Sequence, residues 1–376
     1  MTDLLQLRII GIKPEMEPTL TSHSDRVDAK SYLLEPTNGQ SVSYRAGQFL
    51  TLLLLHNNHE VRRSYSLSSA PVPAADTEPL RLTIKRVQNG EISRYLLDTL
   101  RVGDVLTSLF PAGRFTLDID HQGDLILFGA GSGITPLFSI LKYALLTNPS
   151  RHVTLLYSNS NERTIIFRDE LEDLQRQYPH RFKLTYLLSN VTNDYGRLLG
   201  SVRRGRLNNV MLGQLLPELI GTSDRSSLRF YICGPADYMR MVQFTLVFSG
   251  IRPEQILRED FIIKPVVLTP PPALAQDRTI LLRFRNRETG NRLLVEDRKV
   301  EIQVPAYKSI LQAALDEGIA LPYSCRGGRC ATCIARCTVG SIHMTINDVL
   351  TKRDLDNGWM LTCTGYPESD GVIIEV

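Results

Sequence analysis

Four cysteines stand at a spacing that can grip metal: Cys325-Arg-Gly-Gly-Arg-Cys330-Ala-Thr-Cys333, then Cys363, a C-x4-C-x2-C-x29-C pattern. This is the spacing of plant-type [2Fe–2S] loops. Four thiolates must converge on two irons, and their negative charge calls for backbone N–H groups aimed at sulfur. Gly327 and Gly328 let the chain wrap closely, because glycine takes positive φ freely, and small Ala331 and Thr332 keep the loop tight. A structural zinc site or unligated core thiols is the alternative, but zinc favours paired C-x2-C units and one such unit is present. Cys337 falls outside the pattern and reads as an inert buried thiol.

Two further stretches suit phosphates and flat rings. In Arg63-Ser64-Tyr65-Ser66-Leu67-Ser68-Ser69 an arginine can fork onto phosphate, a tyrosine offers a stacking face and a serine hydroxyl can meet a ring nitrogen. A tyrosine flanked by serines is equally at home as plain strand structure. Downstream, Gly90-Glu91-Ile92-Ser93 opens a helical run, Ser93 to Leu100. It offers either a phosphate site at a helix N-terminus or an ordinary N-cap serine. Gly129-Ala-Gly131-Ser-Gly133-Ile-Thr135-Pro136 lies between an apolar run and a helical pattern, as a pyrophosphate-binding strand-to-helix turn does. A tight turn alone also fits, since Ile134 breaks the G-x-G-x-x-G form. Cys233-Gly234-Pro235 follows the apolar Phe230-Tyr231-Ile232, so Cys233 ends a strand, as a ligand-side residue or as a buried thiol. After the run Val153–Tyr157, neutral polar residues precede Arg163. An arginine there suits the 2′-phosphate of NADPH, although Glu162 beside it leaves NADH open.

These residues need elements to hold them. Residues 1–118 alternate polar and apolar in short runs such as Leu80–Val87, with turns at Asn38-Gly39 and Asn89-Gly90, which predicts an antiparallel barrel or sandwich. Residues 119–263 alternate apolar strand runs (Leu125–Phe128, Val153–Tyr157, Lys183–Leu188, Phe230–Cys233) with helical patterns (Pro136–Leu146, Phe167–Tyr178), which predicts a parallel α/β domain. A Pro-rich linker, 264–278, contains Pro270-Pro271-Pro272. Residues 279–376 predict a small α+β unit with strands Thr279–Phe284 and Lys299–Val304, helix Ser309–Glu317 and the cysteine loop.

With 376 residues, two or three domains can each bury a core, so clustered cysteines are not needed as disulfide staples. A net charge of +3, with no basic block, argues against nucleic acid. Met1–Ile10 contains Asp3 and Arg8 and lacks the apolar core of a signal peptide. No stretch approaches the roughly 20 apolar residues of a membrane span. A cytoplasmic protein is expected.

Residues 1–262 resemble the ferredoxin–NADP reductase superfamily, through Arg63-Ser64-Tyr65-Ser66, Gly90-Glu91-Ile92-Ser93, the loop Gly129–Pro136 and Cys233-Gly234-Pro235. Residues 309–376 resemble plant-type ferredoxins of β-grasp fold. The resemblance implies FAD rather than FMN, with Tyr65 stacked on the flavin, Ser66 near its N5, and Arg63, Ser93 and the backbone around Gly90 on the pyrophosphate. Gln48 and Phe49 would be structural. It implies that Gly129, Gly131, Gly133, Thr135, Pro136, Gly234 and Pro235 hold NADP or NAD, and that Cys233 aligns the nicotinamide with the flavin. Glu259, in Glu259-Asp260-Phe261, resembles the family's terminal E-x-aromatic, and a solvated acid is the other reading. The domain order is similar to that of the reductase components of multicomponent oxygenases, above all those of phenylacetyl-CoA epoxidase systems. It implies an NAD(P)H-dependent oxidoreductase passing electrons through FAD and a [2Fe–2S] cluster to a partner oxygenase. A reductase serving another oxygenase, hydroxylase or desaturase, or a non-catalytic redox sensor, is the alternative.

Overall fold

A computed structural model describes the chain except residues 1–3, 18, 22–23, 72–77, 119, 192–197, 222, 262–275 and 285–297. The backbone divides into two compact units. One comprises Leu5–Pro111 and Phe115–Ile262, the other Met1–Leu4, Ala112–Arg114 and Ile263–Val376. The expected linker lies outside the described residues as far as 275, and Arg278 already opens a strand.

The larger unit begins with β1 (Leu5–Pro14), a short hairpin of β2 (Thr19–Thr21) and β3 (Ser24–Arg26), then β4 (Ala29–Pro36), β5 (Phe49–His56), β6 (His59–Ser66), β7 (Leu80–Lys85), α1 (Glu91–Thr99) and β8 (Val105–Ser108). The sheet order is β6-β5-β8-β1-β4-β7, antiparallel throughout. Its two edges meet just beyond β6, where Leu67 bridges Leu82 and the Ser68 N–H donates to the Arg81 carbonyl at 2.8 Å. Period-2 alternation drives this closure. Leu5, Leu7 and Ile9 point inward, while Gln6, Arg8 and Ile10 point out. The expected barrel is therefore present. Its helix starts at Glu91, two residues before the sequence pattern placed it, because Gly90 takes the N-cap position and leaves Ser93 inside the first turn.

The second sheet comprises β9 (Leu125–Ala130), β10 (Val153–Asn159), β11 (Phe182–Leu188), β12 (Ser201–Arg204), β13 (Arg229–Cys233) and β14 (Ile256–Glu259). All pairings are parallel, in the order β12-β11-β10-β9-β13-β14. The central strand β9 is apolar at every position because helices cover both faces. Leu125 and Leu127 pack toward α2 (Ile134–Thr147) and α3 (Arg168–Gln177), while Ile126 and Phe128 pack toward α4 (Asn209–Ile220) and α5 (Ala236–Phe248). The expected doubly covered parallel sheet is borne out.

The smaller unit carries β15 (Arg278–Phe284), β16 (Arg298–Val304), α6 (Ile310–Asp316), β17 (Ile334–Val339), β18 (Ile342–Met344), α7 (Lys352–Asp356), β19 (Trp359–Leu361), β20 (Gly365–Pro367) and β21 (Val372–Glu375). Its main sheet runs β16-β15-β21-β17-β19, with β15 and β21 parallel and the other pairs antiparallel. Ile280, Leu282, Ile302 and Val304 pack against Ile310, Leu311 and Ala314 of α6 in a core separate from those of the larger unit. Among the described residues, no helix is long and apolar enough to cross a membrane.

Candidate functional site

The parallel sheet defines a crevice by its connectivity. The chain leaves β9 toward β10, and later returns to pair β13 with the opposite edge of β9. Ligands of open α/β sheets bind at such a reversal, outside the carboxyl ends of the strands. The glycine loop and the Cys-Gly-Pro turn both lie there, following β9 and β13. Gly131 takes φ 54°, opening a 3-10 turn, Gly131–Gly133, that leads into α2. Gly133 answers to a close approach: a Cβ there would lie 2.1 Å from the Cys233 carbonyl oxygen. A Cβ on Gly234 would likewise meet Ala130 Cβ at 2.8 Å. Thr135 Oγ1 donates to the Ser132 carbonyl at 3.0 Å, and Pro136 sits in the first turn of α2, where its missing N–H costs nothing. Pro235 caps α5.

Two side chains that the motifs did not reveal support this turn. Tyr157 of β10 donates its hydroxyl to the Gly131 carbonyl at 3.0 Å. Lys85, at the end of barrel strand β7, brings its Nζ to within 3.5 Å of the position a Gly131 Cβ would occupy. Burial pulls the Lys85 ammonium below the usual lysine range, with Asp28 opposing. A lysine closing the β-strand that precedes the Asn89-Gly90 turn was the sequence signal available for it.

Cys233 is fully buried, and burial first, then Glu259, pushes its thiol well up. In the β13–β14 ladder Cys233 pairs with Glu259. Glu259 in turn accepts a hydrogen bond from Ser66 Oγ of β6, at 3.4 Å. Burial pushes the Glu259 carboxyl up to about 8, the Ser66 hydrogen bond pulling weakly the other way. Glu259 is partly buried, and three residues apart in sequence, Ser66, Cys233 and Glu259, meet at one place. Tyr65, one residue before Ser66, is half-buried, and burial pushes its phenol up to about 12 against the pull of Arg63.

On the flavin side, a Cβ on Gly90 would come within 2.7 Å of Val87 Cβ and 2.8 Å of Ser93 Oγ. Ser93 Oγ accepts from the Val87 N–H at 3.1 Å, so it closes the turn before the helix and does not cap it. Glu91, in the first turn of α1, is held by His56 at 2.8 Å and by Asn57 at 3.1 Å. Arg63 Nη1 donates to the Arg62 carbonyl at 2.8 Å. Arg163 stands in a 3-10 turn, Glu162–Thr164, with its Nε 3.4 Å from Glu17 Oε2.

In the smaller unit the four cysteines form two interacting pairs. The Cys330 thiol pulls Cys325 down, and the Cys333 thiol pulls Cys363 down. Their partners Cys330 and Cys333 are pushed up by the same contacts and by burial. Among the described residues no three His, Cys, Asp or Glu side chains gather around a single ion position. Backbone N–H groups face sulfur: Gly327 lies 3.4 Å from Cys325 Sγ, Arg329 and Cys330 also face it, and Gly328 faces Cys363. The loop takes left-handed backbone at Arg326 (φ 51°), Gly328 (φ 72°) and Ala331 (φ 54°). A Cβ on Gly328 would strike the Ile346 carbonyl at 2.6 Å. This donor set, four thiols with backbone N–H groups facing sulfur, fits a [2Fe–2S] cluster, which the four cysteines would hold. Cys337 instead donates to the Val339 carbonyl at 3.3 Å.

Three domain families match along the chain: an oxidoreductase FAD-binding domain over residues 24–117, an oxidoreductase NAD-binding domain over 127–244 and a 2Fe-2S iron-sulfur cluster binding domain over 293–368. One of the subunits of the 1,2-phenylacetyl-CoA epoxidase of Escherichia coli is 30% identical over 89% of this chain and 89% of its own. The ferredoxin reductase component of the 3-ketosteroid-9-alpha-monooxygenase of Mycobacterium tuberculosis is 33% identical over 88% of this chain and 84% of its own. Among solved structures, phthalate dioxygenase reductase has a similar fold, with TM-score 0.54 at 19% identity, over 99% of this chain and 98% of its own. A type IV self-sufficient cytochrome P450 monooxygenase gives TM-score 0.68 at 19% identity over 99% of this chain, which spans 41% of that longer one.

Proposed function

Because the chain belongs to the ferredoxin-reductase family of oxygenase components, with FAD-binding, NAD-binding and [2Fe–2S] domains, we propose that it takes electrons from NAD(P)H in the cytoplasm and delivers them to an oxygenase of the phenylacetyl-CoA epoxidase kind. The observation that carries the reading is the Ser66–Glu259 hydrogen bond, with Glu259 in register with Cys233. It joins the barrel motif, the nucleotide motif and a chain-distant acid at the mouth of one crevice. When bound, the flavin and the cluster convert a two-electron donor into single electrons.

The chain's own residues position and shield. Tyr65 would offer its ring face to the flavin, and Arg63, Ser93 and the Gly90 backbone would hold its pyrophosphate. Gly129, Gly131 and Gly133 leave backbone room for the dinucleotide pyrophosphate at the start of α2, with Thr135, Pro136, Gly234 and Pro235 framing it. Lys85 supplies a cation on the barrel side of that loop. Arg163 gives the site a means of taking the 2′-phosphate of NADPH. Buried Cys233 is a neutral, close-fitting wall for the nicotinamide, since its raised thiol is a poor nucleophile. Ser66 and Glu259 can hold or pass a proton beside the reacting flavin edge, the carboxyl being neutral below about 8. Cys325, Cys330, Cys333 and Cys363 would hold the two irons.

The test is anaerobic mixing of the iron- and FAD-loaded protein with NADPH and with NADH, followed by addition of a phenylacetyl-CoA epoxidase oxygenase. Bleaching of the brown-yellow protein, and product formation only when the oxygenase is present, is the expected result. A loaded protein that stays oxidised with both donors overturns the reading. Bleaching without product in that pairing moves the partner to another oxygenase.

A further inference from the structure

Arg163, whose place past the second strand suits the adenosine ribose, meets a partner from the segment after β1. The turn carrying it is pinned. The Asn161 side chain accepts from the Arg163 N–H at 3.1 Å, Thr164 Oγ1 donates to the Asn161 carbonyl at 2.8 Å, and Glu162 is buried. The Arg163 side chain reaches outward, 57% exposed, to Glu17, which is equally exposed. Glu17 follows β1 on a segment that is itself anchored. Glu15 is buried, and Met16 packs against the core beneath α2 and α3. Both partners belong to the same compact unit, so the pair links the barrel to the nucleotide sheet.

In dinucleotide folds an arginine past the second strand accommodates a 2′-phosphate, and a carboxylate in that region holds free ribose hydroxyls. Here both charges are present and engaged with each other. A guanidinium already matched to a carboxylate has less to offer a phosphate dianion, and the carboxylate repels that dianion directly. Uncharged ribose hydroxyls experience neither effect. We propose that Glu17 is a specificity-determining residue, which holds Arg163 and selects against a 2′-phosphorylated nicotinamide donor. This rests on reading Gly129–Pro136 as the dinucleotide loop.

Because the pair is exposed, the effect is screened and modest, about two- to five-fold. The test uses the loaded full-length protein reducing ferricyanide with NADH, inhibited by 5′-ADP or by 2′,5′-ADP. In Glu17→Gln the inhibition constant of 2′,5′-ADP should fall about three-fold at low salt and that of 5′-ADP should hold, the difference shrinking as salt is added. Arg163→Gln should raise the 2′,5′-ADP constant, and in that background Glu17→Gln should keep only the part of its effect that comes from direct repulsion of the phosphate. An unchanged ratio of the two constants in Glu17→Gln overturns the proposal while leaving the dinucleotide site intact. If neither nucleotide competes with NADH, the site itself is misread and the proposal falls with it.

Discussion

A carboxyl held neutral at the mouth of a redox site sets a pH limit on the chemistry beside it. Glu259 ionises near 8 because its surroundings desolvate it. Above that, a carboxylate appears beside a group that must take up electrons, and like charge disfavours the uptake. Turnover of the loaded protein should therefore decline as pH rises through about 8, and Glu259→Gln should lose that decline; an unchanged profile in the variant removes Glu259 from the site. Stability follows the same sign. The folded state retains the proton from the unfolded value, 4.5, up to about 8, so stability is lost as pH climbs through that window. Melting temperatures of wild type and Glu259→Gln should diverge across it, the variant declining less. At this scale the [2Fe–2S] domain was the most legible, because metal geometry fixes the spacing of its cysteines along the chain. Glu259 was ambiguous in sequence because its partner Ser66 is 193 residues away. Lys85 and Tyr157 passed unnoticed because neither belongs to a contiguous motif.

Elements succeed or fail by how closely they can approach. The start of α2 touches the end of β13 through Gly133, where no Cβ fits against the Cys233 carbonyl. Gly133→Ala should push the helix N-terminus off the strand and spoil the alignment of the donor. A displacement near 1 Å costs on the order of 10²-fold in rate. NADH-driven bleaching in stopped flow should slow accordingly, while dithionite still reduces the variant; equal rates with NADH would show the contact to be slack. The joint between barrel and parallel sheet is another such approach. Arg81 of β7 donates twice to Glu170 of α3 at 2.9 Å, and its guanidinium lies 4.9 Å from the Phe167 ring and 5.2 Å from that of Phe138. Phe167 itself takes φ 60°, uncommon for an aromatic residue. Removing Glu170 leaves a buried cation short of its partner. Glu170→Ala should cost about 2–3 kcal/mol, or roughly 5–10 °C in melting temperature. An unchanged melting temperature would show that the two rings hold Arg81 without the carboxylate. The strands and helices were legible because hydrophobic period gives type and approximate extent. The joint was not, since nothing in a strand pattern says which helix an arginine will meet. Helix starts drifted by two residues for a local reason: Gly90 caps α1 and Ile134 opens α2 out of a 3-10 turn, where polarity alone suggested Ser93 and Pro136.

The whole molecule is two units with separate cores, and this separates its two electron steps experimentally. The larger unit encloses the Ser66–Glu259–Cys233 meeting point and the glycine loop without any residue beyond Ile262. It carries three packed cores of its own, so a chain ending at 262 should fold, bind FAD and reduce ferricyanide with NAD(P)H. It should fail to reduce an acceptor that takes electrons through the cluster. Cys330→Ser in the full chain should produce the same split by a different route. The cluster would lose one of its four thiolates, so the rhombic EPR signal of the dithionite-reduced protein should vanish or change shape. Delivery to an oxygenase should fall at least about ten-fold, which is 1.4 kcal/mol of transition-state free energy. Oxygenase turnover that survives in both the truncated chain and Cys330→Ser would mean that electrons leave directly from the flavin. The four thiols would then be structural, and the order of domains would not describe the order of electron flow.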